Sequence, residues 1–478
     1  MTTSVFLSNL SWVLLGVNWL FEGGWREKWQ RACENRLLQA FLVLILVHLL
    51  WLVGNHDVVM GLDDIRKKLP LLVLPLVLLT SRPLPRRQLG AIALIYLTAV
   101  TVMTLVGLVR FVSIADLPYR AIIPTISHIR FGLNVCFSIC LAVCLLAMSH
   151  TRISIRRWRW LLAAVVLWVV WMVGFLFLLQ SYTSILILAL LLCLSPLLLP
   201  LRRSLRWMLW GGMALVLTGI VWTTVRMTDD YYGDCRRDAD MVENGGYIYR
   251  DIDSLSMAAC WYFRVGESLE TKTDNGYSTY STLVRYLNAT HRSKDSLGVA
   301  SLSEDDVAAV RQGVANPVYL RHPSVRKMAY MVLFEYENHR CGGVYDFSML
   351  ERMALWRNAW RVFCQHPWMG VGTGDVAEAC RQQLQEDGVM LVDITKSAHN
   401  QYLTFLVAFG LIGMSVIVFF FVRAVVSTAS LHTPLAWTYL LIVLLSFVSE
   451  NTLDTLAGCL FACLPWLLLA NEHNMSRN

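Results

Sequence analysis

The sequence predicts an all-α polytopic membrane protein with about eleven or twelve transmembrane helices and one large, mostly helical loop domain. Three observations lead there. The 478 residues are 56% hydrophobic and 16% charged, with a mean hydropathy of +0.51, which is too little charge to solvate a water-soluble surface of this size. Apolar runs recur that are long enough to cross a hydrocarbon core about 30 Å thick. Short basic clusters fall between those runs, the pattern of cytoplasmic loops.

The apolar runs place helices at 4–21, 37–54, 70–80, 89–111, 129–148, 160–179, 183–199, 206–224, 400–422, 434–450 and 453–470. The first follows MTTSVFLSNLS, which has neither a basic leader nor a small-residue cleavage site, and reads as a retained helix. The third is short for a span, and its start is expected to reach back toward Ile65. The basic clusters are Arg26, Lys28, Arg31 and Arg36; Arg82, Arg86 and Arg87; Arg152, Arg156, Arg157 and Arg159; and Arg202, Arg203 and Arg206. Setting all of them on the cytoplasmic side gives a consistent alternation, with the N-terminus outside and Arg477 inside. An even count with a cytoplasmic N-terminus stays open if the first segment is two half-helices.

That alternation puts the stretch from Val225 to Ala398 on the outer face. It is the one large hydrophilic segment, too long for a simple loop, with helical patterns at 302–313 and 350–365. The chain therefore divides into N-terminal transmembrane helices (1–225, with the outer domain beginning at 226), a loop domain (226–398) and C-terminal transmembrane helices (399–478). The net charge of +7 sits in the short loops rather than along a stripe, which excludes nucleic acid as a partner. Of twelve cysteines, Cys235, Cys260, Cys341, Cys364 and Cys380 fall in the outer segment. Disulfides are open to them there, but the odd number leaves a free thiol and no CxxC suggests zinc.

Ionisable groups at the ends of membrane spans are functional candidates. The topology sends several to the outer side: RFVSIADLPYRAIIPTISHIRFGLN with Arg110, Arg120, His128 and Arg130; QSYTS at Gln180–Ser184; SENTLD with Glu450, Asn451 and Asp454; and His399-Asn400, which opens the ninth run. All share one compartment and one depth. Each also has a structural reading. Asn400 suits a helix N-cap, Arg130 can snorkel to headgroups, and Glu450 and Asp454 read as partners for arginines or as caps. The Asp pair of LDD at 62–64 reads as a solvated loop.

The segment ERMALWRNAWRVFCQHPWMGVGTGDV, Glu351–Val376, has Arg352, Leu355, Trp356, Ala359 and Val362/Phe363 at helical spacing. His366-Pro367 then ends the helix. Gly370, Gly372 and Gly374 follow a helix end, not a strand, which argues against a dinucleotide loop. They read as a tight turn approaching a neighbouring backbone or a phosphate.

RMALWRNAWRVFCQHPWMGVGTGD followed by SAHNQYLTFLVAFGLIG resembles the signature of the bacterial O-antigen ligase family, whose superfamily includes O-antigen polymerases and some protein O-oligosaccharyltransferases. The shared features are an Arg-x3-Trp helix, a His-Pro-x-x-Gly-x-Gly turn, and a His-Asn-x-x-Leu helix with a downstream Gly-x-x-Gly. The resemblance implies a GT-C-like glycosyltransferase with no cofactor, nucleotide sugar or metal. It implies an undecaprenyl-pyrophosphate-linked glycan as donor and lipid A–core as acceptor, with inversion at the anomeric carbon. It also implies a multi-pass protein of the bacterial inner membrane, among membrane lipids, with its active site on the periplasmic face.

By motif, the family's histidine maps to His399 and its outer-loop arginine to Arg352. A second family arginine, in a Ser-Arg pair, is missing because that position reads Ser181-Tyr182. Arg130 is the candidate replacement in binding pyrophosphate, with Arg120 and Arg226 behind it. Asn400, Arg357, His366, Gly372 and Gly374 complete the supporting candidates. An O-antigen polymerase or protein O-oligosaccharyltransferase would use the same donor. A lipid or glycan transporter is the reading from another class, and broken helices with midplane charges would favour it.

Overall fold

The computed structural model describes residues 5–114, 117–149, 153–198, 203–235, 240–320, 325–341, 348–388, 398–428 and 433–473. Arg152, Arg202 and Arg477 lie outside them. The helices are α1 (Val5–Phe21), α2 (Trp25–Glu34), α3 (Arg36–Leu50), α4 (Val58–Lys68), α5 (Pro70–Thr80), α6 (Arg86–Ser113), α7 (His128–Ser149), α8 (Ile155–Leu178), α9 (Tyr182–Leu198) and α10 (Arg203–Tyr232). They continue as α11 (Ser254–Val265), α12 (Thr279–Ala289), α13 (Ser296–Ala300), α14 (Glu304–Arg311), α15 (Val325–Arg340), α16 (Ser348–Gln365), α17 (Val376–Glu386), α18 (Gln401–Ser427), α19 (Pro434–Ser449) and α20 (Leu456–His473). Two compact units result: Met1–Arg206 with Arg352–Val389 and Asp393–Asn478, and Trp207–Glu351 with Met390–Val392.

Each expected apolar run falls on a helix. Among the described residues, five helices are long and apolar enough to cross a membrane: Arg86–Ser113, His128–Ser149, Ile155–Leu178, Arg206–Tyr232 and Gln401–Ser427. Phe6–Phe21, Tyr182–Leu194, Pro434–Ser449 and Leu456–Ala470 are shorter apolar helices. The chain is an all-α, multi-pass membrane protein.

The first basic cluster is a helix rather than a loop. Gly23 and Gly24, with φ of 74° and 68°, turn the chain into α2, which meets α3 at 85°. Asn35 makes the corner by accepting from the Leu38 N–H at 3.0 Å, the N-cap role its short carbonyl side chain suits. LDD is not a solvated loop either. Asp57 caps α4 through the Met60 N–H at 2.8 Å, and Asp63 and Asp64 then pair with lysines one turn on, Lys67 and Lys68. Leu69 stays in the right-handed helical region and Pro70 opens α5 at a position where no amide N–H is missed.

The bundle core is mostly apolar, with Leu37, Phe41 and Leu44 of α3, Phe131 of α7, Tyr439 of α19, and Phe461 and Leu467 of α20 all buried. Apolar side chains on α6, α8 and α18 face outward, among them Ile95, Leu167 and Phe419 at 60% exposure or more. In a bilayer those faces meet lipid without cost.

The second unit has its own core of Tyr231, Trp261, Leu283, Leu287, Val310 and Tyr330. A short hairpin, Val242–Glu243 with Gly246–Tyr247, is its only named sheet among the described residues. Glu243 is fully buried, which requires full pairing. Arg285 meets it through two hydrogen bonds of 2.9 and 3.1 Å, and Asn316 through a third of 2.9 Å. The 302–313 pattern becomes α14, closed by a capping box between Ser303 and Asp306. Among the described residues, no disulfide joins the cysteines.

Candidate active site

The segments that carry the sequence motif pack on one another within the first unit. Leu355, Ala359, Val362 and Phe363 form the buried face of α16, and Ala359, Val362 and Phe363 cluster with Val407 of α18. That leaves Arg352 at the start of α16 and His399 before α18 to be joined at the bundle end. Glu450, the C-terminal cap residue of α19, joins them. It accepts a hydrogen bond from Arg352 Nη2 at 2.9 Å, and its other oxygen lies 4.0 Å from His399 Nδ1. Glu450 is 7% exposed, so its charge requires the guanidinium. Arg352 and His399 keep side-chain exposures of 22% and 32%, enough to reach a ligand.

His399 adopts φ of +48°, a left-handed conformation rare outside glycine. Such strain persists where surroundings over-determine it. The next residue supplies part of that: Asn400 accepts from the Leu403 N–H at 3.1 Å and is a true N-cap. Thr404 bonds both the Asn400 carbonyl, at 3.0 Å, and Asn451 Oδ1, at 3.2 Å. Gln401 is wholly buried and accepts from the Leu453 N–H at 2.8 Å. The start of α18 is thereby laced to the segment that carries Glu450.

Arg130, in the first turn of α7, lies within electrostatic reach of Glu450 and Asp454. Its Nε is buried with no hydrogen-bond partner among the described residues. His128, two residues earlier, feels both Arg120 and Arg352. Its ring meets Tyr119 edge-on at 5.3 Å, and Arg120 Nε donates to the Tyr119 hydroxyl at 3.2 Å. Arg352 and His399 thus meet one carboxylate with Arg130 in electrostatic reach of it, while His128 lies in reach of Arg352 and Arg120.

Other candidates lie elsewhere. Arg357 is exposed and sits five residues beyond Arg352, on a different face of α16. His366 is exposed at the far end of that helix, about 20 Å along its axis. Arg226 belongs to the second unit.

The glycine turn approaches a neighbouring backbone, which decides between the two readings of its sequence. α18 is broken at Gly410, whose φ of 61° and ψ of −165° no helix contains. The break frees carbonyls at Val407 and Ala408, which accept from the N–H groups of Val371 and Gly372 at 2.8 and 2.9 Å. Beyond the break, the N–H groups of Leu411 and Ile412 donate to the carbonyls of Pro367 and Trp368 at 2.8 and 3.1 Å. A side chain at position 372 would lie 1.9 Å from Asn55 Oδ1, and one at 374 would lie 2.0 Å from the Asp57 carbonyl. Gly372 and Gly374 pack closely against the α3–α4 connection.

Glu450 is a partner for an arginine, as its sequence position suggests, and that arginine is Arg352. Its signal was present: a carboxylate ending an apolar run at the depth assigned to His399. Among the described residues, no three His, Cys, Asp or Glu side chains converge as a metal set. A family model described as O-antigen ligase matches residues 167–418, just over half of the chain. The matched span includes Arg352, the glycine turn and His399, and stops short of Glu450. No curated protein matches.

Proposed function

The chain belongs to the O-antigen ligase family, and from that premise we propose that it is an O-antigen ligase. It transfers a glycan from undecaprenyl pyrophosphate to a sugar hydroxyl of lipid A–core, on the periplasmic face of the inner membrane, in lipopolysaccharide biosynthesis. The observation that carries this reading is the Arg352–Glu450–His399 group with Arg130 in electrostatic reach.

Its chemistry suits the step. The acceptor hydroxyl attacks the anomeric carbon on the side opposite the pyrophosphate, which inverts that centre. The bond from the anomeric carbon to the phosphate oxygen breaks, and its electron pair leaves with undecaprenyl pyrophosphate. His399 takes the hydroxyl proton, and Glu450, facing Nδ1, steadies the imidazolium that forms. Arg352 and Arg130 meet the charge growing on the leaving oxygens, since guanidinium groups stay protonated and bind phosphate in bidentate fashion. This electrostatic contribution is the larger one. A diphosphate is already an activated leaving group, so the step is written without a metal.

The broken α18 does not favour a transporter. Its exposed backbone groups are matched by the glycine turn, so they are not offered to a substrate.

His399→Ala is expected to lower transfer by at least about a hundredfold, the scale of a lost general base, while the protein still inserts. Normal surface O-antigen in that strain would overturn the reading. A deletion strain separates the family's activities by its lipopolysaccharide. Polymer stranded on undecaprenyl pyrophosphate marks a ligase, and single repeats on core mark a polymerase.

A further inference from the structure

The first unit holds a second charged cluster beside the site, in which a lysine and a histidine are buried against two half-buried aspartates. Lys68, the last residue of α4, is 1% exposed. Its ammonium donates to Asp64 one turn earlier and lies 3.6 Å from Asp454. His48 of α3 is also 1% exposed, with Nε2 3.9 Å from the second Asp64 oxygen and Nδ1 2.7 Å from the Leu44 carbonyl. Asp454 accepts from Asn451 Nδ2 at 2.7 Å, and Asn451 Oδ1 accepts from Thr404 at 3.2 Å. Asn451 directly follows Glu450.

Buried ions are a poor means of stabilising a bundle, because desolvation cancels most of their attraction. Their best-attested use is to fix one arrangement among several. Here the arrangement is that of the α19–α20 connection, which has only a 3-10 turn, Thr452–Asp454, as regular structure. A cavity of about 170 Å³, lined by His48, Asp64, Lys67, Lys68, Thr404 and Asp454 among others, adjoins it. Apolar packing therefore cannot hold Asp454 from that side, and the polar ties must.

We infer that Lys68 is a positioning residue: through Asp454 and Asn451 it fixes the segment that presents Glu450 to Arg352 and His399. Removing its charge leaves Asp64 and Asp454 as two half-buried carboxylates without their shared cation. The segment then moves toward the cavity, and Glu450 leaves the geometry that orients His399. The catalytic consequence rests on the ligase reading above; the structural consequence does not.

The experiment uses the full chain in detergent, with a polyprenyl-diphosphate-linked glycan and lipid A–core as substrates. Lys68→Met, Lys68→Arg and the charge-balanced Lys68→Met/Asp454→Asn are compared for thermal unfolding, for amide exchange over 450–455, and for kcat and KM. Lys68→Met is expected to speed exchange in 450–455 and to lower kcat by about tenfold or more, as loss of precise placement does. Donor KM should stay within about threefold, because Lys68 makes no ligand contact. Lys68→Arg should recover part of the kcat. The charge-balanced variant should unfold at the wild-type temperature yet keep the low kcat, since methionine cannot tie the segment. Unchanged exchange in 450–455, or wild-type kcat in the charge-balanced variant, would overturn the inference. If the wild-type protein transfers no glycan, the ligase reading falls, and exchange in 450–455 alone decides the role of Lys68.

Discussion

Arg352 sits on α16 and His399 just before α18, and a single carboxylate joins them. Glu450→Gln keeps the size and one acceptor of that group but removes its charge. It is expected to lower kcat by at least about tenfold with the protein intact, because the imidazolium loses its counter-charge. Wild-type kcat would reduce Glu450 to a cap. Arg352→Ala is a less clean test, since it strands a carboxylate that is 7% exposed, a cost of about 3 kcal/mol or more. Arg130 is better probed by Arg130→Lys, which keeps the charge and loses the fork. Much of the turnover should go with it if Arg130 clamps phosphate, and an unaffected rate would leave it a snorkelling residue. At this scale the sequence revealed residue types and not partners. His399 and Arg352 stood out through a motif, whereas Glu450 stood out only as a carboxylate at the same depth, and its partners became legible when α19 brought it between them.

The central element is α18, which begins at the histidine and breaks at Gly410. A Cβ at 410 would lie 2.4 Å from the Trp368 carbonyl carbon and oxygen, and the ψ there is open to glycine alone. Gly410→Ala and Gly372→Ala are each expected to cost about 3 kcal/mol or more, read as a lower unfolding temperature together with lost turnover. Full stability in either would mean the turn is not what repairs the break. The expected run at 400–422 contained this element but not its break, because an apolar stretch with two glycines has the same hydropathy bent or straight. The glycine string after His366-Pro367 was legible as a turn. Its partner was not, since the matching carbonyls lie more than thirty residues on in the sequence.

Across the whole molecule, membrane helices and the polar part of the second unit follow different physical rules. In the second unit, burial raises the Asp306 carboxyl, but hydrogen bonds from Tyr286, Ser303 and Arg292 outweigh it and hold the pKa at about 2. A carboxylate held below its unfolded value of about 3.9 stabilises the fold above that pH and loses the contribution as pH falls toward 2. Amide protection of α14, corrected for intrinsic exchange, should therefore fall between about pH 4 and about pH 2, and Asp306→Asn should flatten that response. If the reaction needs no metal, chelation leaves turnover of the full chain intact, and a loss restored by Mg²⁺ would contradict that. Hydropathy and charge alternation alone determined that this is an all-α membrane protein, because a bilayer admits few backbone solutions for such runs. The motif determined its family. Tertiary structure decided which carboxylate faces the histidine, what the glycines touch, and which aspartates a buried lysine meets. Those are contacts between residues far apart in the chain, and local pattern carries no record of them.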